Sequence, residues 1–277
     1  MSVAASTGSG SVGLPEDDAL ALLRAGDIVV EGRMTAASNA TLYARISTDD
    51  TQAHCIYKPV AGERPLRDFP RETLSRREVA AYQVSHATGW DVVPPTVWRD
   101  GPFGPGSVQL WIDADDTVEL VDVVPIGGVA PGWLPVMTAQ DGEGSDVVLV
   151  HADDARLARM AVFDAVIDNA DRKGGHVLVD AADHVWGVDH GLSFNVDDKL
   201  RSVLWGWQGT PLPAECCDVV DALVTDLAPG APLAAALDGL VSAAEVARTR
   251  ERGRALLRSG CFPRPDRWGP VIPWPPF

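Results

Sequence analysis

Two acids stand 18 residues apart in this 277-residue chain, Asp171 in Asp171-Arg172-Lys173 and Asp189 in Asp189-His190-Gly191. Phosphoryl transfer needs such groups. A lysine neutralises the α/β-phosphates, an acid on a rigid loop positions the acceptor hydroxyl, and a second acid binds the Mg²⁺ that bridges the phosphates. Lys58 ends a predicted strand. Glu78 follows 20 residues later on a predicted helix, where it can pair with the lysine and fix its position. A catalytic loop, a short hairpin and a metal-binding turn fill the gap between the two acids. Gly191 gives such a turn its backbone freedom.

The elements that must position these groups are legible as patterns. Pro15 to Gly26 is amphipathic, with acids ahead of Leu20, Leu22 and Leu23, as at a helix start. Asp27 to Arg33, Ala40 to Ile46 and His54 to Pro59 read as an antiparallel meander of strands. Arg71 to Thr88 carries a helical apolar stripe, stopped by Gly89. Val92 to Trp98 and Ser107 to Ile112 are two further strands around a Gly/Pro loop. From Asp113 to Asp146, prolines and glycines predict a loop-like stretch without long regular elements. Asp153 to Asp168 is a helix, and a strand pair at 176–180 and 184–189 follows it. Two helices are expected at 214–227 and 233–259. The layout is α+β: a flexible leader (1–14), an antiparallel-sheet N-lobe (15–113), a mostly helical C-lobe (114–263) and a Pro/Trp-rich tail (264–277).

Composition bounds the function. The net charge of −16 argues against nucleic acid and against stable association with anionic membranes. No apolar run is long enough to span a bilayer, and the N-terminus lacks the charged start and apolar middle of a signal peptide. The four cysteines form no C-x-x-C pair, which suits reduced thiols and a cytoplasmic location. Arginines 64, 67, 71, 76 and 77, interleaved with acids, read as a solvated helix face laced with salt bridges. Trp205 and Trp207 are expected to pack rather than to stack on a ligand.

Asp171-Arg172-Lys173-Gly174-Gly175-His176 resembles the catalytic loop of the phosphatidylinositol 3-/4-kinase-like and HipA-like atypical kinases, and Asp189-His190-Gly191 resembles the Asp-Phe-Gly metal turn of the kinase superfamily. The likeness runs from about Val29 to Asn195 and implies a two-lobed protein-kinase-like fold. It implies that Lys58 contacts the ATP phosphates, that Glu78 holds Lys58, that Asp171 orients or deprotonates the acceptor and that Asp189 binds Mg²⁺. Ser38, Asn39 and Thr41 would face the phosphates. Gln109, Leu110, Trp111 and Ile112 would form the hinge beside adenine.

The chain departs from the family at three points. His176 stands where the family has an asparagine metal ligand, which makes it a second metal candidate and Mn²⁺ an alternative to Mg²⁺. Lys173 replaces the histidine of Asp-Arg-His. Gly32 is the lone glycine of the expected phosphate loop. The reading is an ATP-dependent phosphotransferase acting on a hydroxyl of a protein or small molecule. A pseudokinase that binds nucleotide as a regulator, and an AMP transferase using the same site, stay open as alternatives.

Overall fold

The computed structural model describes residues 14–34, 39–265 and 269–277. Its first part is a five-stranded antiparallel sheet in the order β1-β2-β3-β5-β4, built from β1 (Asp27–Arg33), β2 (Leu42–Ser47), β3 (Gln52–Pro59), β4 (Thr96–Gly101) and β5 (Gly104–Leu110). Strand periodicity divides the sheet into two faces. On β3, Ala53, Cys55 and Tyr57 are buried in one core with Ala44 and Ile46 of β2 and with Leu20, Leu22 and Leu23 of helix α1 (Glu16–Ala25). The alternate residues His54, Ile56 and Lys58 therefore line the opposite face. In register they are flanked by Tyr43 of β2 and by Ser107 and Gln109 of β5.

Helix α2 (Leu74–Thr88) joins β3 to β4 and ends at Gly89, whose φ of 64° is left-handed. It packs against the sheet and against α4 (Ala214–Asp226) and α5 (Pro232–Ala236). Arg64, Arg67 and Arg71 precede the helix and are exposed, as expected of a solvated arginine cluster, but contact on both sides of α2 removes Arg76 and Arg77 from it. Arg77 is 1 % exposed, pairs with Glu245, and donates to the Ser193 carbonyl at 2.6 Å. Arg76 lies over the Trp98 ring at 4.5 Å.

The Gly/Pro-rich stretch expected to lack regular elements instead carries most of a three-stranded antiparallel sheet, in the order β6-β8-β7. Its strands are β6 (Val121–Pro125), β7 (Trp133–Gln140) and β8 (Asp146–Ala152). Proline is compatible with a sheet at edges and bulges, and that is where it sits. Pro125 ends one edge strand, and Pro135 lies on the other at the register shift before Met137. The central strand β8 has no proline and buries Val148, Leu149 and Val150.

The rest is mainly helical. Helix α3 (Ala155–Ile167) is capped by the Asp154 carboxylate, which accepts from the Arg156 amide. It leads into the loop before the hairpin of β9 (Val177–Val179) and β10 (Val185–Gly187). The single helix expected over 233–259 is two: the short α5, then α6 (Ala243–Ser259). Gly239, at φ 73°, breaks the run, and a capping box between Ser242 and Glu245 restarts it. Among the described residues, no helix is long and apolar enough to cross a membrane.

Candidate active site

The alternation of β3 aims Lys58 off the sheet towards α2 and the β10 turn. Its Nζ donates to Glu78 Oε1 at 2.5 Å and to Asp189 Oδ1 at 2.9 Å. Burial works against the lysine's charge, but Asp189 and Glu78 outweigh it and hold Lys58 above the ordinary lysine value. In return the Lys58 charge, against the effect of burial, keeps Asp189 well below the usual carboxylate range. Glu78 is 4 % exposed at the side chain, whereas Asp189 is 51 % exposed. One acid is thus a buried anchor and the other opens to the cleft. The second Glu78 oxygen accepts from the His190 amide at 2.9 Å, so the helix glutamate also fixes the turn that carries Asp189. Asp189 has a φ of 61°, which turns the chain sharply at that point.

The loop carrying Asp171 is built on Arg172, which is 0 % exposed. Its guanidinium donates to both oxygens of Asp164 on α3, at 2.7 and 3.0 Å. It also reaches the carbonyls of His176 and Val188, each at 3.1 Å, and His190 Nε2 at 2.6 Å. All five N–H groups of the arginine fork are engaged. This one side chain ties helix α3, the Asp171 loop and the Asp189 turn together. Asn169 adds a second tie, donating to Asp164 at 3.0 Å while its oxygen accepts from the Asp171 amide at 3.0 Å. The left-handed residue that ends α3 is Asp168, at φ 57°, and Asn169 follows it as a brace of the loop. Asp164 was not legible as a functional residue. Its signal was an acid on the otherwise apolar face of a strongly patterned helix.

Asp171 keeps its carboxylate free of hydrogen bonds among the described residues, with Lys173 Nζ at 3.8 Å. Burial raises its pKa to about 6, with Lys173 pulling against that shift. A carboxylate poised there is matched to accepting a hydroxyl proton near neutral pH.

His176 faces Asp189, Nε2 to Oδ2 at 3.5 Å. Its Nδ1 is buried without a hydrogen-bond partner among the described residues. Burial pushes its pKa down to about 4, which leaves a neutral imidazole able to offer a lone pair. Adjacent ligands on an octahedral cation lie about 3 Å apart when each bond is ~2.1 Å. The two donor atoms therefore fit one divalent ion after a small adjustment. Among the described residues no third His, Cys, Asp or Glu joins them. The group that does form such a triad is Glu16, His86 and Asp91. Two protein donors, with water and phosphate oxygens completing the shell, is the ordinary pattern for Mg²⁺ beside a nucleotide. An imidazole in the pair shifts the preference towards Mn²⁺.

The remaining sequence candidates are scattered around this centre. Ser38 lies outside the described residues. The Asn39 side-chain oxygen accepts from the Arg64 amide at 2.8 Å, and the Thr41 amide donates to the Asn39 carbonyl at 2.9 Å. Both groups brace the β1–β2 connection. Gln109 is buried and donates to Thr96 Oγ1 at 2.9 Å, within the sheet. Leu110 ends β5. Trp111 follows, its amide donating to the His54 carbonyl at 3.0 Å and its ring set edge-on to Tyr43. A cavity of about 340 Å³ borders Leu110, Ile112, Asp113 and the β9–β10 turn, but Lys58, Asp171 and Asp189 do not line it. Trp205 and Trp207 are buried and donate to the Val271 carbonyl and to Asp153, each at 2.8 Å, which makes them packing residues.

Protein Rv2133c of Mycobacterium tuberculosis (strain ATCC 25618 / H37Rv) is 49 % identical over 270 residues, spanning 94 % of this chain and 96 % of that protein. No protein-family model matches the sequence. Among solved structures, the Helicobacter pylori proinflammatory kinase CtkA is similar over 87 % of this chain and 94 % of that one, at a TM-score of 0.46 and 10 % identity. The chain belongs to the family of Protein Rv2133c.

Proposed function

We propose that this protein is an ATP-dependent phosphotransferase of the atypical-kinase kind, which transfers the γ-phosphate to a hydroxyl of a protein or small molecule. The observation that carries the reading is Lys58 held between Glu78 and Asp189, with Asp171 on a loop locked to the same turn by Arg172. A lysine that gives up one carboxylate contact can turn to the phosphates, while its bond to Glu78 keeps it in place. Asp189 and His176 would hold Mg²⁺ or Mn²⁺, which when bound neutralises phosphate charge. Asp171 accepts the proton of the acceptor hydroxyl, and Lys173 next to it favours negative charge at the transferred group. All four cysteines are free, in keeping with action in the cytoplasm.

The test is incubation of the purified chain with ATP labelled at the γ-phosphate, with Mg²⁺ or Mn²⁺. Label should pass to the protein itself or to a lysate component, and Asp171→Asn and Asp189→Asn should each abolish it. Full transfer by either variant would sink the assignment. Transfer of an α-phosphate label instead would mean AMP transfer. A second reading, a nucleotide-binding pseudokinase, is favoured by His176 in the metal pair. It predicts ATP-dependent thermal stabilisation without turnover under either metal.

A further inference from the structure

Four residues, Arg172-Lys173-Gly174-Gly175, separate Asp171 from His176. The Arg172 fork locks the start of this stretch, but its two glycines bring no side chain to anchor the rest. Glycine also has the most backbone freedom to lose on ordering. Within the stretch, the His176 amide donates to the Lys173 carbonyl at 3.2 Å and closes one short turn. The Gly174 amide finds its acceptor outside that turn.

That acceptor belongs to the tail. The Gly174 amide donates to the Pro276 carbonyl at 2.8 Å, and the Phe277 ring lies so close over Gly174 that a Cβ there would collide with it. Gly174 is buried, although it sits on a loop. A Cβ at Gly175 would meet nothing within 4 Å, so the glycine requirement is confined to one residue. A second anchor lies five residues back along the tail. The Val271 carbonyl accepts from the Ser202 amide at 3.0 Å and from Trp205 Nε1 at 2.8 Å. Ser202 lies in a segment already bonded to the Asp171 loop. The Arg172 amide donates to the Arg201 carbonyl, and the Val203 amide to the Arg172 carbonyl, both at 3.1 Å. Between the two anchors Pro273 is buried, whereas Trp274 is 80 % exposed.

The tail is therefore fixed at Val271 beside Arg172 and bears on Gly174 through Pro276 and Phe277. Gly174 stands three residues after Asp171 and two before His176. A displacement there moves the stretch that spaces the two groups. The contact is with the loop backbone. Among the described residues the Asp171 carboxylate accepts no hydrogen bond, from the tail or elsewhere, and its side chain keeps 26 % of its exposure. Such a contact holds the loop while leaving its acid open, which is the geometry of a brace rather than of a plug. Reacting groups tolerate little misplacement, so an external brace on a glycine pair bears directly on rate.

We propose that Phe277 and Pro276 are positioning residues: seated on Gly174, they hold Asp171 and His176 at their working separation, and the site turns over at full rate only while the tail is seated. The effect on turnover rests on the phosphotransferase reading above. The seating itself rests on the contacts at Gly174 and Val271.

The experiment compares the full chain with Phe277→Ala, Phe277→Tyr and Trp274→Ala. It reads hydrogen exchange across residues 171–176, and kcat and KM from steady-state ATP consumption with Mg²⁺ or Mn²⁺. Phe277→Ala should speed exchange at Gly174 and lower kcat about tenfold. KM for ATP should stay within about twofold, because Lys58 is held by Glu78 and Asp189 without the tail. A general loss of fold would instead move both constants. Phe277→Tyr keeps the ring, and at a position 50 % exposed its hydroxyl can face solvent, so it should keep the wild-type kcat. Trp274→Ala, on the exposed part of the same tail, should change neither readout. Unchanged exchange in Phe277→Ala overturns the seating. Faster exchange with an unchanged or higher kcat overturns the positioning role, as does an equal loss in Trp274→Ala. Absence of ATP consumption by the wild type under both metals refutes the phosphotransferase reading and the effect on turnover with it, whereas exchange alone decides the seating.

Discussion

Lys58 and Asp189, 131 residues apart in the chain, meet at 2.9 Å, and Glu78 holds the same ammonium from the other side. Lys58→Met would leave a buried glutamate and a turn carboxylate without their cation. Turnover should vanish, and stability should fall by about 3 kcal/mol, as when one partner of a buried pair is removed. Urea denaturation checks the second effect. An unchanged midpoint would mean that Glu78 is solvated rather than held as described.

The raised pKa of Asp171 fixes the direction of a pH profile. Burial lifts the group to about 6, and only the ionised form accepts a proton. kcat/KM should therefore rise with pH through an inflection near 6 and flatten above it. A profile flat from pH 5 to 8 would remove Asp171 from the proton-accepting role. Asp171→Asn should keep ATP binding while losing turnover.

His176→Asn places an oxygen donor at the proposed metal pair, so activity with Mg²⁺ should rise relative to Mn²⁺. It also has a stability signature. In the folded chain His176 protonates only near pH 4, against 6.5 for an ordinary histidine. Between those values the unfolded chain binds the extra proton, so this residue costs stability as pH falls. The asparagine variant should lose less melting temperature than wild type on going from pH 7 to 5. A parallel decline in both proteins would show that His176 is not buried as a neutral ring.

Arg172→Lys keeps the charge but not the fork. Lysine cannot replace five directed donors, so Asp164 and two carbonyls lose partners inside the protein. Destabilisation of about 3 kcal/mol or more is expected, together with loss of turnover. A fully stable and active Arg172→Lys would mean that the loop is braced elsewhere.

Gly174 tests the tail. Its amide donates to the Pro276 carbonyl at 2.8 Å, and a Cβ at this position would lie 2.3 Å from a ring carbon of Phe277. Gly174→Ala should push the tail off the Asp171 loop and speed hydrogen exchange at residue 174. Gly175→Ala, where a Cβ meets nothing within 4 Å, should leave exchange unchanged. Equal exchange in both variants would show that the tail does not rest there.

Local pattern in the sequence determined most elements near the centre. Alternation on β3 put Lys58 on the face opposite Cys55 and Tyr57, and the apolar stripe of α3 ended just before Asp171. These are short-range signals, and side-chain periodicity is enough to read them. The chemistry-bearing residue types and their order were legible for the same reason. Tertiary structure alone decided what each charge meets. Arg77 reads as one of several surface arginines, yet it is buried because α2 is covered on two sides. Asp164 reads as a stray acid in a helix, yet it holds Arg172 across eight residues of chain. The sheet over 121–152 stayed hidden because its prolines are acceptable only at edges and a bulge, and which strand is an edge is a property of the assembled sheet.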